Sequence, residues 1–240
     1  TAAANYAQTT TCPLSPATLA AGASCTINVS FTPSVLGSRP ASLSVTHSAT
    51  NSPQNVSLSG SGVAPVTLSP TSLAFGNQVV NTPSAAKTIK LKNNQTVALT
   101  ISNITIGGTA AANYAQTTTC PLSPATLAAA GSCAINITFT PTVPGSRPAS
   151  VTIAHDASNS PQRITLSGSG VAPVTLSPTS LNFGTQPLNT SSAPKTVTVK
   201  NNQVVPLTIM GITTSGDYSA SSSCPLGPAT LVAGGICTLN

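Results

Sequence analysis

Glutamate does not occur in this 240-residue sequence, and Asp156 and Asp217 are its only acids. Charged side chains make up 4% of the residues, against roughly a quarter in an ordinary soluble protein. Hydrolytic or transfer chemistry draws on paired carboxylates, a nucleophile beside a base, or a metal cluster. Two acids that lie 61 positions apart (217 − 156) cannot supply these, so the sequence reads as a protein that is not an enzyme and needs no cofactor or metal. Tryptophan is missing too, and the aromatic complement is three Tyr and four Phe. A nucleic-acid surface gathers Lys and Arg beside stacking rings. Here five Lys and three Arg are scattered along the chain, so the net charge of +6 forms no patch and no nucleic-acid partner is expected. No run approaches the ~20 apolar residues of a membrane-crossing helix, and no membrane span is expected.

What remains is a chain rich in Ser, Thr, Asn, Ala and Gly with 40% apolar residues, enough to build a core. Hydroxyls and amides replace ion pairs at the surface, which makes its solubility insensitive to salt. The chain also matches itself. Residues 1–62 are identical to residues 109–170 at 46 of 62 positions, at an offset of 108, and VAPVTLSPTSLAFG at 63 returns as VAPVTLSPTSLNFG at 171. The third copy drops four residues before resuming at Asp217. One unit is therefore about 108 residues. The expected organisation is 1–62, the late part of a first repeat; 63–170, a complete repeat; and 171–240, the early part of a third. Both ends fall inside a repeat, which sets the expectation of a segment of one long polypeptide.

Substitutions between copies separate core from surface. Val29, Leu43, Val45 and Val56 become Ile137, Val151, Ile153 and Ile164, changes that conserve apolar volume. Asn55 and Ser48 become Arg163 and Asp156, as solvated positions would. Short runs alternate: KTIKLK places Ile89 and Leu91 opposite Lys90 and Lys92, and CAINITF aligns Cys133, Ile135, Ile137 and Phe139. No stretch keeps a 3.6-residue period. About seven short strands per ~100 residues, punctuated by Pro, Gly and Asn, indicate an all-β fold of tandem immunoglobulin-like β-sandwich repeats. The expected central core is Phe75, Ile89, Leu91, Leu99, Ile135, Ile137, Phe139, Val151, Ile153 and Leu166, with Lys90, Lys92 and Arg147 outside. The connection GSGVAP is short and contains Pro65 or Pro173, so neighbouring repeats should be closely coupled.

The six cysteines fall as Cys12 and Cys25, Cys120 and Cys133, and Cys224 and Cys237, each pair 13 apart inside one copy. An even count at constant spacing argues for one disulfide per repeat and for an oxidising compartment. Two buried free thiols per copy is the alternative; zinc would find too few ligands. SPTSLxFG, KTIKLKNN, CPLSPATL, FTP with a following Gly, and the closing LSGSG together resemble the Hydin-type, major-sperm-protein-like immunoglobulin domain. In bacteria such repeats occur in secreted proteins labelled choice-of-anchor D. The resemblance implies a seven- or eight-stranded sandwich on large repetitive surface proteins. Eukaryotic relatives are linked to cilia and centrosomes, reducing settings, so the paired cysteines favour the extracellular bacterial branch.

The remaining candidates read as structural. His47 and His155 recur at one position, each ending a strand, and are expected as satisfied edge residues. Tyr6, Tyr114 and Tyr218 share a place before the first cysteine of each pair and are expected as buried or corner residues. Six Asn-x-Ser/Thr sequons, at Asn28, Asn55, Asn94, Asn103, Asn136 and Asn189, arise easily in so Asn- and Thr-rich a chain. The function expected is an extracellular or cell-surface stalk, fibre or filament whose partners are copies of itself or adjoining repeats. The alternative is an adhesin or carbohydrate-binding module holding a surface glycan.

Overall fold

The structure, a computed structural model, describes residues 2–240 and contains no α-helix among them. Residues 2–62 hold β1 (Tyr6–Thr10), β2 (Ile27–Phe31), β3 (Gly37–Ser38), β4 (Ala41–Val45), β5 (Gln54–Leu58) and β6 (Ser61–Gly62). Nine strands follow up to residue 171: β7 (Val66–Ser69), β8 (Ser72–Val79), β9 (Lys87–Asn93), β10 (Ile101–Gly107), β11 (Tyr114–Thr118), β12 (Ser132–Phe139), β13 (Gly145–Ser146), β14 (Ala149–His155) and β15 (Gln162–Val171). The chain closes with β16 (Val174–Ser177), β17 (Val197–Asn201) and β18 (Ile236–Leu239).

Residues 64–171 form two sheets. One has the order β11-β12-β9-β7; the other is β10-β14-β15-β13, with β8 running parallel to β15. Alternation decides which side chains enter between them. In β12, Cys133, Ile135, Ile137 and Phe139 are buried while their neighbours are not, and in β9 the buried set is Ile89, Leu91 and Asn93. Pairing of Ile135 with Ile89 and of Cys133 with Leu91 puts both sets on one face. A one-residue slip would turn all of them outward. From the other sheet come Leu73, Ile104, Val151, Ile153, Ile164 and Leu166. The resemblance implies seven or eight strands and nine are present. The first strand divides at Pro70, which has no N–H to give a ladder, so β7 joins one sheet and β8 the other, and the two-residue β13 is counted separately.

Two expectations about the core need correction. Phe75 is half-buried, packed on the core rim against Tyr114 and Phe139 with Lys87 Nζ 5.6 Å from its ring centre. Arg147 is half-buried instead of exposed, for reasons given below. Lys90 and Lys92 are exposed.

The glycines of the LSGSG motif have a steric reason. A Cβ on Gly168 would lie 2.5 Å from Phe139 Cε1, and one on Gly170 would lie 2.3 Å from the Val143 carbonyl oxygen. Their counterparts Gly60 and Gly62 meet Phe31 and the Val35 carbonyl in the same way. Gly168→Ala should therefore destabilise this sandwich by about 1–3 kcal/mol, since the ring it strikes is itself fully packed. A urea titration that finds no loss beyond a few tenths would refute the packing assigned to Phe139.

Outside 64–171 the same local pairings recur. Tyr6 pairs with Phe31 as Tyr114 pairs with Phe139, and β4–β5 repeats the β14–β15 ladder. Fewer strands flank these pairs, so equivalent side chains are wetter: Val29 and Val56 are 38% and 55% exposed where Ile137 and Ile164 are 0% and 1%. No sheet combines strands from residues 2–62 with strands from 171–240.

Candidate functional site

The residues that repeat most faithfully converge on three places. The first is the disulfide. Cys12 and Cys25, Cys120 and Cys133, and Cys224 and Cys237 are bonded at S–S distances of 2.05, 2.06 and 1.96 Å, and no cysteine is free. Cys133 lies one residue into β12, and Cys120 follows β11. Hydroxyl side chains before the first cysteine organise this loop. Thr118 Oγ1 accepts the Cys120 N–H at 2.9 Å, and Thr119 Oγ1 accepts the Ala134 N–H at 3.0 Å. TTTC in two copies and SSSC in the third keep these hydroxyls, since either residue type supplies the acceptor.

The second place is the NN pair, which sequence reasoning passed over. Asn93 is fully buried. Its Nδ2 donates to the carbonyls of Val97, Leu127 and Ala128, and its Oδ1 accepts from the Gln95 N–H. One amide thus satisfies the turn after β9 and backbone within the loop closed by Cys120 and Cys133, groups that would be costly to bury unpaired. Asn201 makes the matching bonds to Val205, Leu231, Val232 and Gln203. The neighbour, Asn94, turns the other way: Nδ2 donates to the Ala64 carbonyl at 2.9 Å, and its backbone N–H to the Pro65 carbonyl at 2.8 Å. The signal was there to read, because NNQ persists in residues 201–203 while Lys90 gives way to Thr198.

The third place holds the tyrosine and the arginine; the histidine lies apart from them, at the far end of β14. Tyr114 is buried, stacks on Phe139 at 4.8 Å, and donates its hydroxyl to the Arg147 carbonyl at 2.5 Å. Burial pushes its phenol up to about 12. Arg147 Nη2 donates back to the Pro144 carbonyl at 2.6 Å, which lays the side chain along its own turn and explains why it is not exposed. Tyr6 and Arg39 repeat both bonds. Tyr218 is 62% exposed and instead lies 5.7 Å from the Phe183 ring.

His155 departs from its expected role. It is buried, and its strand β14 lies between β10 and β15, so it is not an edge residue. Nδ1 accepts the Ala157 N–H at 3.3 Å, while Nε2 is buried without a partner. Burial holds its pKa below the ordinary value of 6.5, with Asp156 opposing. Hydrogen bonding from Thr100 holds the Asp156 carboxyl below its ordinary 3.8. For the imidazole, the unfolded chain binds the extra proton first, so the stability it protects is complete above pH 6.5 and falls as pH drops below it. Asp156 adds a further loss below its ordinary 3.8, and Tyr114 a loss as pH rises from 10.0 to about 12. The urea midpoint should decline below 6.5 in the native protein and lose that decline in His155→Gln. A flat midpoint through that window would contradict the burial assigned to His155.

Among the described residues no three His, Cys, Asp or Glu side chains are grouped to hold a metal, and no helix is long and apolar enough to cross a membrane. Asp156 and Asp217 are not brought together by any sheet.

Residues 64–169 match the family model of the HYDIN/CFA65/VesB-like Ig-like domain. Solved structures similar to the chain include PapD-like domain 7 of human CEP192, at 16% identity and TM-score 0.33, covering 54% of this chain and 97% of that one. The Vibrio cholerae VesB protease matches at 13% identity and TM-score 0.34 over 44% of this chain, which spans only 31% of the protease. WR4, a C. elegans MSP family member, matches at 11% identity and TM-score 0.29 over 45% of this chain and all of its own (100%). No curated protein matches the chain.

Proposed function

We propose that this chain is a run of Ig-like repeats, divided at 62/63 and 170/171, that serves as a structural spacer in an extracellular or cell-surface stalk, fibre or filament. The observation that carries the reading is that all three copies keep the same staple, and two copies each share the Asn hub and the Tyr-to-Arg bond, while exposed charges change freely. The disulfide, the Asn hub and the Tyr-to-Arg bond recur, whereas Ser48 becomes Asp156 and Asn55 becomes Arg163. A dedicated ligand site would set one copy apart. Three disulfides favour an oxidising compartment, in line with secreted repeats of the bacterial choice-of-anchor D type. A glycan-binding face is disfavoured, because stacking platforms need several exposed rings, whereas Phe31, Phe75 and Phe139 pack against tyrosines or one another and Tyr218 is the one exposed ring among the described residues.

Immunogold labelling of intact producing cells with an antibody to residues 63–170, together with alkylation of thiols in the unreduced protein, tests this reading. Surface label on extended material with no alkylated cysteine is expected. Label confined to the cytosol, or cysteines that alkylate without reductant, would overturn it.

A further inference from the structure

The last strand of the 63–170 sandwich and the first strand after it are separated by Ala172 and Pro173 alone. Hydrogen bonds claim the chain on both sides of that gap. Val171 pairs with Val79 in the parallel ladder, and its carbonyl accepts the Val80 N–H at 3.0 Å, so it is held by the preceding sandwich. The next carbonyl, of Ala172, accepts from Asn202 Nδ2 at 3.0 Å, and that of Pro173 from the Asn202 backbone N–H at 2.8 Å. Asn202 lies beside β17, in the sheet that follows. Its Nδ2 also reaches Thr175 Oγ1 at 3.2 Å.

On the side of the sandwich that follows it, the earlier connection is built alike. Asn94 holds the Ala64 and Pro65 carbonyls at 2.9 and 2.8 Å and Thr67 Oγ1 at 3.2 Å. The next carbonyl, of Val66, accepts from Asn159 Nδ2 and Gln162 Nε2 at 2.8 and 2.9 Å. Three consecutive carbonyls entering the sandwich are therefore all taken by it, which also accounts for the Gln of the SPQ motif.

We infer that Asn94 and Asn202 are positioning residues that fix the orientation of each repeat on the one before it. Val171, though just past the repeat boundary, is held by the sandwich before it and Ala172 by the sheet after it, so no residue is left free to act as a hinge. Pro173 removes further freedom by locking its own φ and restricting the residue before it. Asparagine suits the task because its backbone N–H and side-chain amide donate to two successive carbonyls; aspartate, of equal size, has no side-chain donor. The inference rests on the tandem-repeat reading above and gives it a mechanical basis.

Residual dipolar couplings measured on the whole 240-residue chain test it. In the native protein, couplings from 64–170 and from 174–240 should fit one alignment tensor. In Asn202→Ala and Asn202→Asp, the alignment of 174–240 should fall at least about twofold relative to 64–170, as for a jointed linker, with each set still fitting its own coordinates. Two tensors of unequal size in the native protein, or one shared tensor retained in either variant, would overturn the inference. Should the Asn202 variants unfold residues 174–240, insertion of Gly-Gly between Val171 and Ala172 keeps every bond described and separates only the anchors. It must loosen the pair; a shared tensor after the insertion would show that something other than the linker holds the orientation. A stiff pair in a protein confined to the cytosol would sink the stalk and leave the clamp standing, and a loose pair at the cell surface would do the reverse.

Discussion

Phe139→Ala should lower the unfolding free energy of the central sandwich by about 3–5 kcal/mol, the range for deleting a fully buried ring. The side chain is 0% exposed and heads the fully buried residues by volume. Its ring stacks on Tyr114 at 4.8 Å and meets Phe75 at 5.7 Å. The Gly168 backbone lies against its edge, closely enough that no Cβ fits between. The space left by truncation cannot collapse, because its walls are paired strands: Phe139 pairs with Tyr114 in β11, and Gly168 sits within β15, itself held by β14 and β8. Loss should therefore fall toward the upper end of the range. Urea unfolding followed by circular dichroism measures it, and a loss under about 1.5 kcal/mol would show that the ring is not the centre of this core.

Removing the central disulfide by Cys120→Ser with Cys133→Ser should cost about 3 kcal/mol in the chain-entropy picture for a loop of this length. The bond closes a sequence separation of 13 between the end of β11 and the start of β12. Those strands are already paired, Thr118 opposite Ile135, so the native state is little strained by the link and its effect falls on the unfolded chain. Both cysteines are buried, at 6% and 7% exposure, so replacement also places two hydroxyls where sulfur packed. Reductant applied to the native protein should reproduce most of the shift. Midpoints that are indifferent to reductant and to the double substitution would show that the disulfides do not stabilise the fold, and would weaken the case for an oxidising compartment.

Much of the central fold was legible because two independent patterns agree. Period-2 alternation marks Ile89, Leu91, Ile135 and Ile137 as inward, and comparison between copies marks Ile137, Val151, Ile153 and Ile164 as positions that conserve volume; the structure buries all of these. Either pattern alone leaves the register of a short strand open. Polar residues were harder to read. Asn93 and Asn94 are neighbours of one type in one motif, yet one is buried and binds four groups of its own sandwich while the other faces the linker. Alternation puts Asn93 on the side of Ile89 and Leu91 and Asn94 on the other, but it does not say which groups stand on each side. Arg147 differs from its sequence pattern for a related reason. A long charged side chain is ordinarily solvated, but its guanidinium turns back onto Pro144 while its carbonyl anchors Tyr114.

By itself, then, the sequence determined an all-β architecture, the 108-residue offset at which the chain matches itself, the spacing of the cysteine pairs and the inward sets of β9, β12, β14 and β15, all properties that short-range periodicity and self-comparison carry. Only the tertiary structure decided that the first strand changes sheets at Pro70, that β8 and β15 run parallel, that His155 lies inside with an unpartnered Nε2, and that the successive carbonyls of Val171 and Ala172 are bound by the sheets on opposite sides of the connection. Each of these depends on which backbone groups meet across separations of tens of residues. A hydrogen bond between such groups is set by where the rest of the chain has placed them, and leaves no mark in the residues on either side.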